Sequence, residues 1–216
     1  MVDTASHPQG IETDSWVPAT WAAFVALCDR PDFEKARCYY DKGWMRIEMA
    51  PLGSLHDREN SVVSKVISLF AALNMIRVVE FLSTSLRKPG EREAQPDIAF
   101  YLGQNFQLPS LNNQPIDIGV YGPPQLAVEI ASTTLSDDLG RKRLLYERLG
   151  VREYWIVNVA MAEVVAFAVE NGGSWEIHDS QVLPGLALSV VEKAMQRSQT
   201  EDDGALTRWL IQTFQT

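Results

Sequence analysis

Apolar residues recur along this chain with two different periods, and the switches between them mark out its elements. Over 54–74 they return every three or four positions. Leu55, Val62, Val63, Val66, Leu69, Phe70 and Leu73 fall on one arc, which predicts a long helix. Ser54 with Asp57 resembles a capping box that would open it. Segment 136–150 predicts a second helix. Ser136 is its candidate N-cap, Asp137 and Asp138 suit its first turn, and Gly150 is a stop signal. Leu139, Leu145, Tyr146 and Leu149 form its apolar arc. Shorter helices are expected over 21–28, capped by Thr20, and over 205–214.

Elsewhere the period is two, or the run is short and apolar. Segments 76–82, 85–88, 97–101, 126–131, 154–159, 164–169 and 175–178 predict strands. Aromatic-rich flanks around Asp41-Lys42-Gly43 predict a hairpin, and Asn171-Gly172-Gly173 signals another. Pro89-Gly90 marks a turn, and 49–53 is a break. Segment 103–122, rich in Asn, Gln, Pro and Gly, reads as a long loop. Strands precede and follow helices without regular alternation. The fold class is therefore α/β (mixed α+β), a central mixed sheet flanked by helices. Residues 1–15 read as a loose polar tail, and 16–216 as one domain with a C-terminal helical extension.

Three charged residues break this pattern. Lys142 falls in the middle of its helix's apolar arc, where an unpaired ammonium would be costly. Along 126–131, Leu126, Val128 and Ile130 share one face, while Glu129 shares the other with Ala127 and Ala131. Along 97–100, Ile98 and Phe100 share one face, and Asp97 shares the other with Ala99. Each strand thus sets one carboxylate among small side chains, with room for a metal, waters and a phosphate. Two facing carboxylates repel, and a hard cation such as Mg²⁺ relieves that repulsion. A lysine beside them could orient or activate a water, or stabilise charge on a leaving phosphate. The plainer reading is a strand-start turn residue at Asp97 and a structural ion pair at Glu129. On the long helix, Glu59 lies near the centre of the apolar arc and His56 at its margin. Glu59 is either a third acid or a side chain projecting past the helix end, and His56 suits an ordinary first-turn position.

Composition narrows the field. The 216 residues are 46% hydrophobic and 22% charged, enough for one sizeable core. The net charge of −9 makes the chain a poor non-specific ligand for nucleic acid. Cys28 and Cys38 read as structural, and His7, His56 and His178 lack zinc-ligand spacing. The N-terminus does not read as a secretion signal, and the most apolar stretch, 62–79, is interrupted by polar residues. No membrane span is expected, and a cytoplasmic location is the default. Neither a P-loop, a dinucleotide glycine pattern nor a G-x-S-x-G elbow occurs.

The stretches GWMRIEMAP…H, QPDIAF and PPQLAVEIAS…DDLGRKRLLYERLGVREYWIVN resemble the Uma-two family of the restriction-endonuclease-like PD-(D/E)XK superfamily. The resemblance covers roughly 41–175, and the block 126–158 is its specific part. The superfamily pattern asks for Pro-Asp, supplied by Pro96-Asp97, then Glu-X-Lys, of which only Glu129 is present because Ala131 stands where the lysine belongs. Lys142 matches the helical position to which that lysine moves in this family. The resemblance implies a restriction-endonuclease-like fold, Asp97 and Glu129 as metal ligands, and Lys142 as the catalytic lysine. His56 matches a family histidine, whereas Glu59 falls where relatives carry an apolar residue. It further implies a Mg²⁺-dependent endonuclease acting on DNA, with Mn²⁺ able to substitute and a homodimer as a candidate assembly. The alternative is a catalytically degenerate nuclease fold kept as a binding or assembly module.

Overall fold

The computed structural model describes residues 12–33, 35–49 and 53–215. In chain order its elements are β1 (Val17–Pro18), α1 (Trp21–Cys28), β2 (Ala36–Asp41), β3 (Trp44–Met49), α2 (Ser54–Leu73), β4 (Val78–Leu82), β5 (Leu86–Lys88), β6 (Arg92–Ala94), β7 (Ile98–Leu102), β8 (Ile116–Asp117), the single turn α3 (Ile118–Tyr121) and β9 (Leu126–Ala131). Then come α4 (Leu135–Asp137), a π-helical turn (Asp138–Lys142), α5 (Arg143–Leu149), β10 (Glu153–Asn158), β11 (Glu163–Glu170), β12 (Gly173–Ile177), α6 (Leu188–Ser198) and α7 (Asp203–Phe214).

The expected single sheet is two six-stranded sheets, ordered β1-β3-β2-β6-β5-β8 and β12-β11-β10-β9-β7-β4. The first is built on the predicted hairpin. Lys42 and Gly43 both take positive φ, 39° and 96°, the geometry that suits a two-residue hairpin turn. In the second, β9 and β10 run parallel at the centre and the other pairs are antiparallel.

Alternation on the strands sorts the side chains into three cores. One face of the second sheet presents Ile98, Phe100, Leu126, Val128, Ile130, Trp155 and Val157 to α2, α6 and α7. Val62, Val63, Val66 and Ile67 are fully buried there, each contributing roughly 1.5–3 kcal/mol. Its other face carries Tyr101, Ala127, Ala131, Tyr154 and Ile156. That face meets Tyr39, Leu86 and Ala94 of the first sheet, together with Leu145, Tyr146 and Leu149 of α5. A small third core packs α1 against the far side of the hairpin, through Phe24, Cys38, Tyr40 and Ile47.

Several local expectations change. Thr20 caps α1 through Ala23 N–H, as predicted, but Gly53, not Ser54, is the N-cap of α2, with no side-chain cap. Leu55 is half exposed, while His56 and Glu59 take the buried face of the first turns of α2. Helix 136–150 begins at Leu135 with Thr134 at the cap position, two residues before Ser136, and passes through the π turn before α5. The long loop contains β8 and α3. The C-terminal helices are part of the main core, with Leu206 and Leu210 fully buried. Of the tail 1–15, residues 1–11 lie outside the described residues, as do His7 and positions 50–52 of the break. Asp14 is docked rather than loose, its N–H bonding Ile47 O. Among the described residues no helix is long and apolar enough to cross a membrane.

Candidate active site

The charged residues that break the pattern meet between the two sheets. Hairpin strands β2 and β3 turn Arg37, Tyr39, Arg46 and Glu48 toward the second sheet, while Cys38, Tyr40 and Ile47 face the third core. Opposite them, Glu129 projects from β9, and Asp97 stands just before β7. The π turn delivers Asp138 and Lys142 from the side. Arg37, Glu48, His56, Asp97, Glu129, Asp138 and Lys142 are all buried.

Lys142 is 1% exposed, and its Nζ lies 2.8 Å from Glu48 Oε2, 2.9 Å from Asp138 Oδ1 and 4.0 Å from Glu129 Oε1. It also stands 4.3 Å from the centre of the Tyr39 ring. Burial alone would lower its pKa, but Glu129, Asp138 and Glu48 outweigh that and hold it above the ordinary lysine value. The surrounding carboxylates therefore favour the charged form of Lys142. Two of its three acids, Glu48 and Asp138, were missed by sequence reasoning. Glu48 had a signal, since Arg46 and Glu48 alternate with Met45 and Ile47 in an otherwise apolar strand. Asp138 had one too, since it lies one helical turn before Lys142 on the same arc, although a first-turn acid has an ordinary reading at a helix start.

Glu129 and Asp97 sit in opposite electrostatic conditions. Glu129 Oε1 accepts hydrogen bonds from Tyr146 at 2.7 Å and Tyr39 at 3.2 Å, while Oε2 accepts none among the described residues. Burial pushes its carboxyl well above the usual range. Lys142 opposes that rise, and the charges of Asp138 and Asp97 add to it. Burial also raises Asp97, but His56, Arg37 and the Ile130 N–H more than reverse this and hold it below the usual value. Arg37 pairs with Asp97 Oδ1, Ile130 N–H donates to Oδ2 at 2.7 Å, and His56 Nε2 stands 3.1 Å from Oδ1 without the alignment of a hydrogen bond. His56 thus belongs to the cluster. Its pKa is lowered by burial, then raised above the ordinary value by Asp97.

Glu59 does not join the cluster. It is 1% exposed, neither oxygen has a partner among the described residues, and burial pushes its pKa up to about 7. The expected space beside Ala127, Ala99 and Ala131 is also not free. Tyr39, Tyr101, Tyr146 and Tyr154 are buried in the same core as Ala127 and Ala131. A cavity of about 50 Å³ remains at one side, lined by Arg37, Glu48, Ile130 and Ser132 to Thr134.

Carboxylates are the right donors for a hard divalent cation. Two observations suit one: the unclaimed Oε2 of Glu129, and a carboxyl that Lys142 leaves short of positive charge. Asp97 would share such an ion only by loosening its pairing with Arg37. Among the described residues, no three His, Cys, Asp or Glu side chains are already gathered in metal-ligand geometry.

Comparison with known proteins agrees with this architecture. The family model described as "Uma2: Putative restriction endonuclease" matches residues 21–200. A solved structure described as a "putative nuclease belonging to DUF820 from Anabaena variabilis ATCC 29413" superposes with a TM-score of 0.52 at 20% identity, covering 82% of this chain and 99% of that one. At that identity the likeness shows the fold, a mixed α/β restriction-endonuclease-like architecture. No curated protein matches the chain.

Proposed function

The chain belongs to the Uma2 family of restriction-endonuclease-like proteins, and from that premise we propose that the cluster around Lys142 hydrolyses DNA phosphodiester bonds with the help of Mg²⁺, or Mn²⁺ in its place. The observation that carries the reading is Lys142 itself, buried between Glu48 and Asp138 at 2.8 and 2.9 Å and beside Glu129. Asp97 and Glu129 would hold the metal, which when bound supplies Lewis-acid polarisation of a phosphate oxygen and a lowered pKa for an attacking water.

The chain's own residues supply the rest. Lys142, whose charged form its carboxylates favour, supplies positive charge toward a phosphate oxygen. Tyr39 and Tyr146 orient Glu129, and burial and the charge of Glu129 keep both phenols protonated as donors. Glu48, itself held by Arg46 Nε at 2.5 Å, fixes the lysine amine. Arg37 and His56 fix Asp97.

The test is cleavage of plasmid, linear and single-stranded DNA with Mg²⁺ or Mn²⁺. Wild type should cut and EDTA should stop it. Glu129→Gln and Lys142→Ala should each lose about a hundredfold or more in rate, the scale of removing one preorganised electrostatic group. One observation favours a second reading, a nuclease fold retained as a binding or assembly module: Asp97 is already neutralised by Arg37, and Lys142 by its acids. Inactivity on every substrate together with no metal uptake by calorimetry would select that module.

A further inference from the structure

A second arrangement lies at the rim of the same site. The guanidinium of Arg141, the residue before Lys142, stands between two indoles, 4.4 Å from the ring centre of Trp16 and 4.8 Å from that of Trp44. Trp16 is fixed in turn, its Nε1–H donating to Asp137 Oδ1 at 2.8 Å. Trp44 shares the inward face of β3 with Arg46 and Glu48, so one row of side chains leads from the partner of Lys142 out to the rim. At about 3.4 Å per residue, that row is roughly 14 Å long. A second path connects the same points, since Asp137 Oδ2 lies 3.4 Å from Arg46 Nε, and Arg46 Nε bonds Glu48. Trp44 nonetheless leaves 41% of its surface in solvent.

We propose that Trp44, backed by Arg141 and Trp16, is a stacking platform for an unpaired nucleobase, so that the substrate of this site is single-stranded or locally opened DNA. The proposal rests on the nuclease reading for its substrate class. The argument is one of charge and shape. Closed duplex hides its base faces and is bound largely by neutralising phosphates, which a chain of net charge −9 does poorly. A single strand exposes its base faces, and stacking on an aromatic ring adds to the backbone contacts an affinity that a closed duplex cannot offer. A guanidinium behind the indole adds positive charge where the strand's backbone must pass. Arg148 and Lys42, with 47% and 62% of their side chains exposed, also lie along the rim, Arg148 paired with Asp41 and Lys42 4.0 Å from Glu91. Facing them are Asp41, which Arg92 and Arg148 already neutralise, as well as Glu91 and Asp137.

The experiment is fluorescence anisotropy in EDTA, so that no strand is cut. It compares a labelled thymidine oligonucleotide, an abasic strand of the same length and a duplex. Wild type should prefer the thymidine strand to both others. Trp44→Ala should weaken thymidine binding by about tenfold or more, the scale of one lost base–aromatic stack, with abasic binding unchanged. Trp44→Phe should restore most of it, and circular dichroism of each variant checks folding. Equal affinity for thymidine and abasic strands, a Trp44→Ala variant that keeps its preference, or no binding to any strand would each overturn the platform. Metal-dependent cutting of duplex without base discrimination would overturn it and leave the nuclease reading standing. Base discrimination with no cutting of any DNA and no metal uptake by calorimetry would support the platform and remove the nuclease reading.

Discussion

Glu129 and Glu153 are buried acids on adjacent parallel strands, on opposite faces of one sheet, and they are handled differently. Glu153 is surrounded by neutral donors. Trp155 Nε1 and Ser180 Oγ each donate to Oε2 at 2.9 Å, while the Gln181 and Val182 N–H groups donate to Oε1 at 2.5 and 2.9 Å. Both its oxygens are satisfied, and the result is a pinned loop over the aliphatic core. Glu129 has tyrosines on one oxygen only, a lysine just beyond hydrogen-bond reach and further acids nearby. Burial raises the pKa of both, but at Glu153 four donors oppose the rise, whereas at Glu129 like charges add to it. Burial of a carboxylate therefore does not by itself mark a working site. An acid whose needs are met within the fold is structural, and one left in want of charge among other charged groups is the candidate for chemistry.

The sharpest way to break this contrast is Lys142→Met. It leaves Asp138 and Glu129 buried without their cation and Glu48 with Arg46 alone, and should cost about 3–5 kcal/mol of stability. Added Mg²⁺ should recover part of that by binding only the native state. Thermal melts with and without Mg²⁺ measure both effects, and a loss under about 1 kcal/mol would mean that the cluster does not depend on its lysine. Next in size is Glu153→Ala, which strands two main-chain N–H groups, an indole and a hydroxyl. It should cost about 2–4 kcal/mol in urea titration. Cleavage per folded molecule should stay at the wild-type rate, and a selective loss of activity would erase the distinction drawn between the two acids.

The smallest effect belongs to Glu59. Its pKa is about 7 in the fold against an ordinary 4.5, so the native state keeps a proton that the unfolded chain releases across that interval. The contribution is whole below about pH 4.5 and is lost as pH rises through about 7, amounting to at most about 3 kcal/mol. Glu59→Gln has no proton to lose. It should be more stable than wild type by about 1–3 kcal/mol near pH 8, with the gain vanishing near pH 4. Urea titrations at the two pH values test this, and a constant offset between the proteins would refute it.

Much of this molecule was legible before its structure. The hairpin, α2 and β9 came through because each shows an uninterrupted period and a clear stop. Asp97, Glu129 and Lys142 stood out because each carries charge where its neighbours are apolar. What stayed hidden depends on contacts distant in sequence. Arg37 reaches Asp97 across 60 positions and Lys142 reaches Glu48 across 94, and no local pattern encodes either meeting. The two-residue strands β1 and β8 carry too few positions for any period to register. Helix α6 was passed over although Leu188, Val191, Ala194 and Met195 recur at helical spacing and are buried.

The π turn at Asp138–Lys142 has a consequence for comparing sequences. A wider turn uses more residues than an α-helical turn to come back to the same side. A relative that closes this turn as ordinary α-helix would reach the same facing for its Leu145 and Tyr146 counterparts with one residue fewer. Aligned without a gap inside 138–142, such a chain would match Lys142 to the wrong neighbour, and its lysine would be scored as missing when it is only out of step. Lysine-free members assigned by alignment should be re-read with that gap before being counted as inactive.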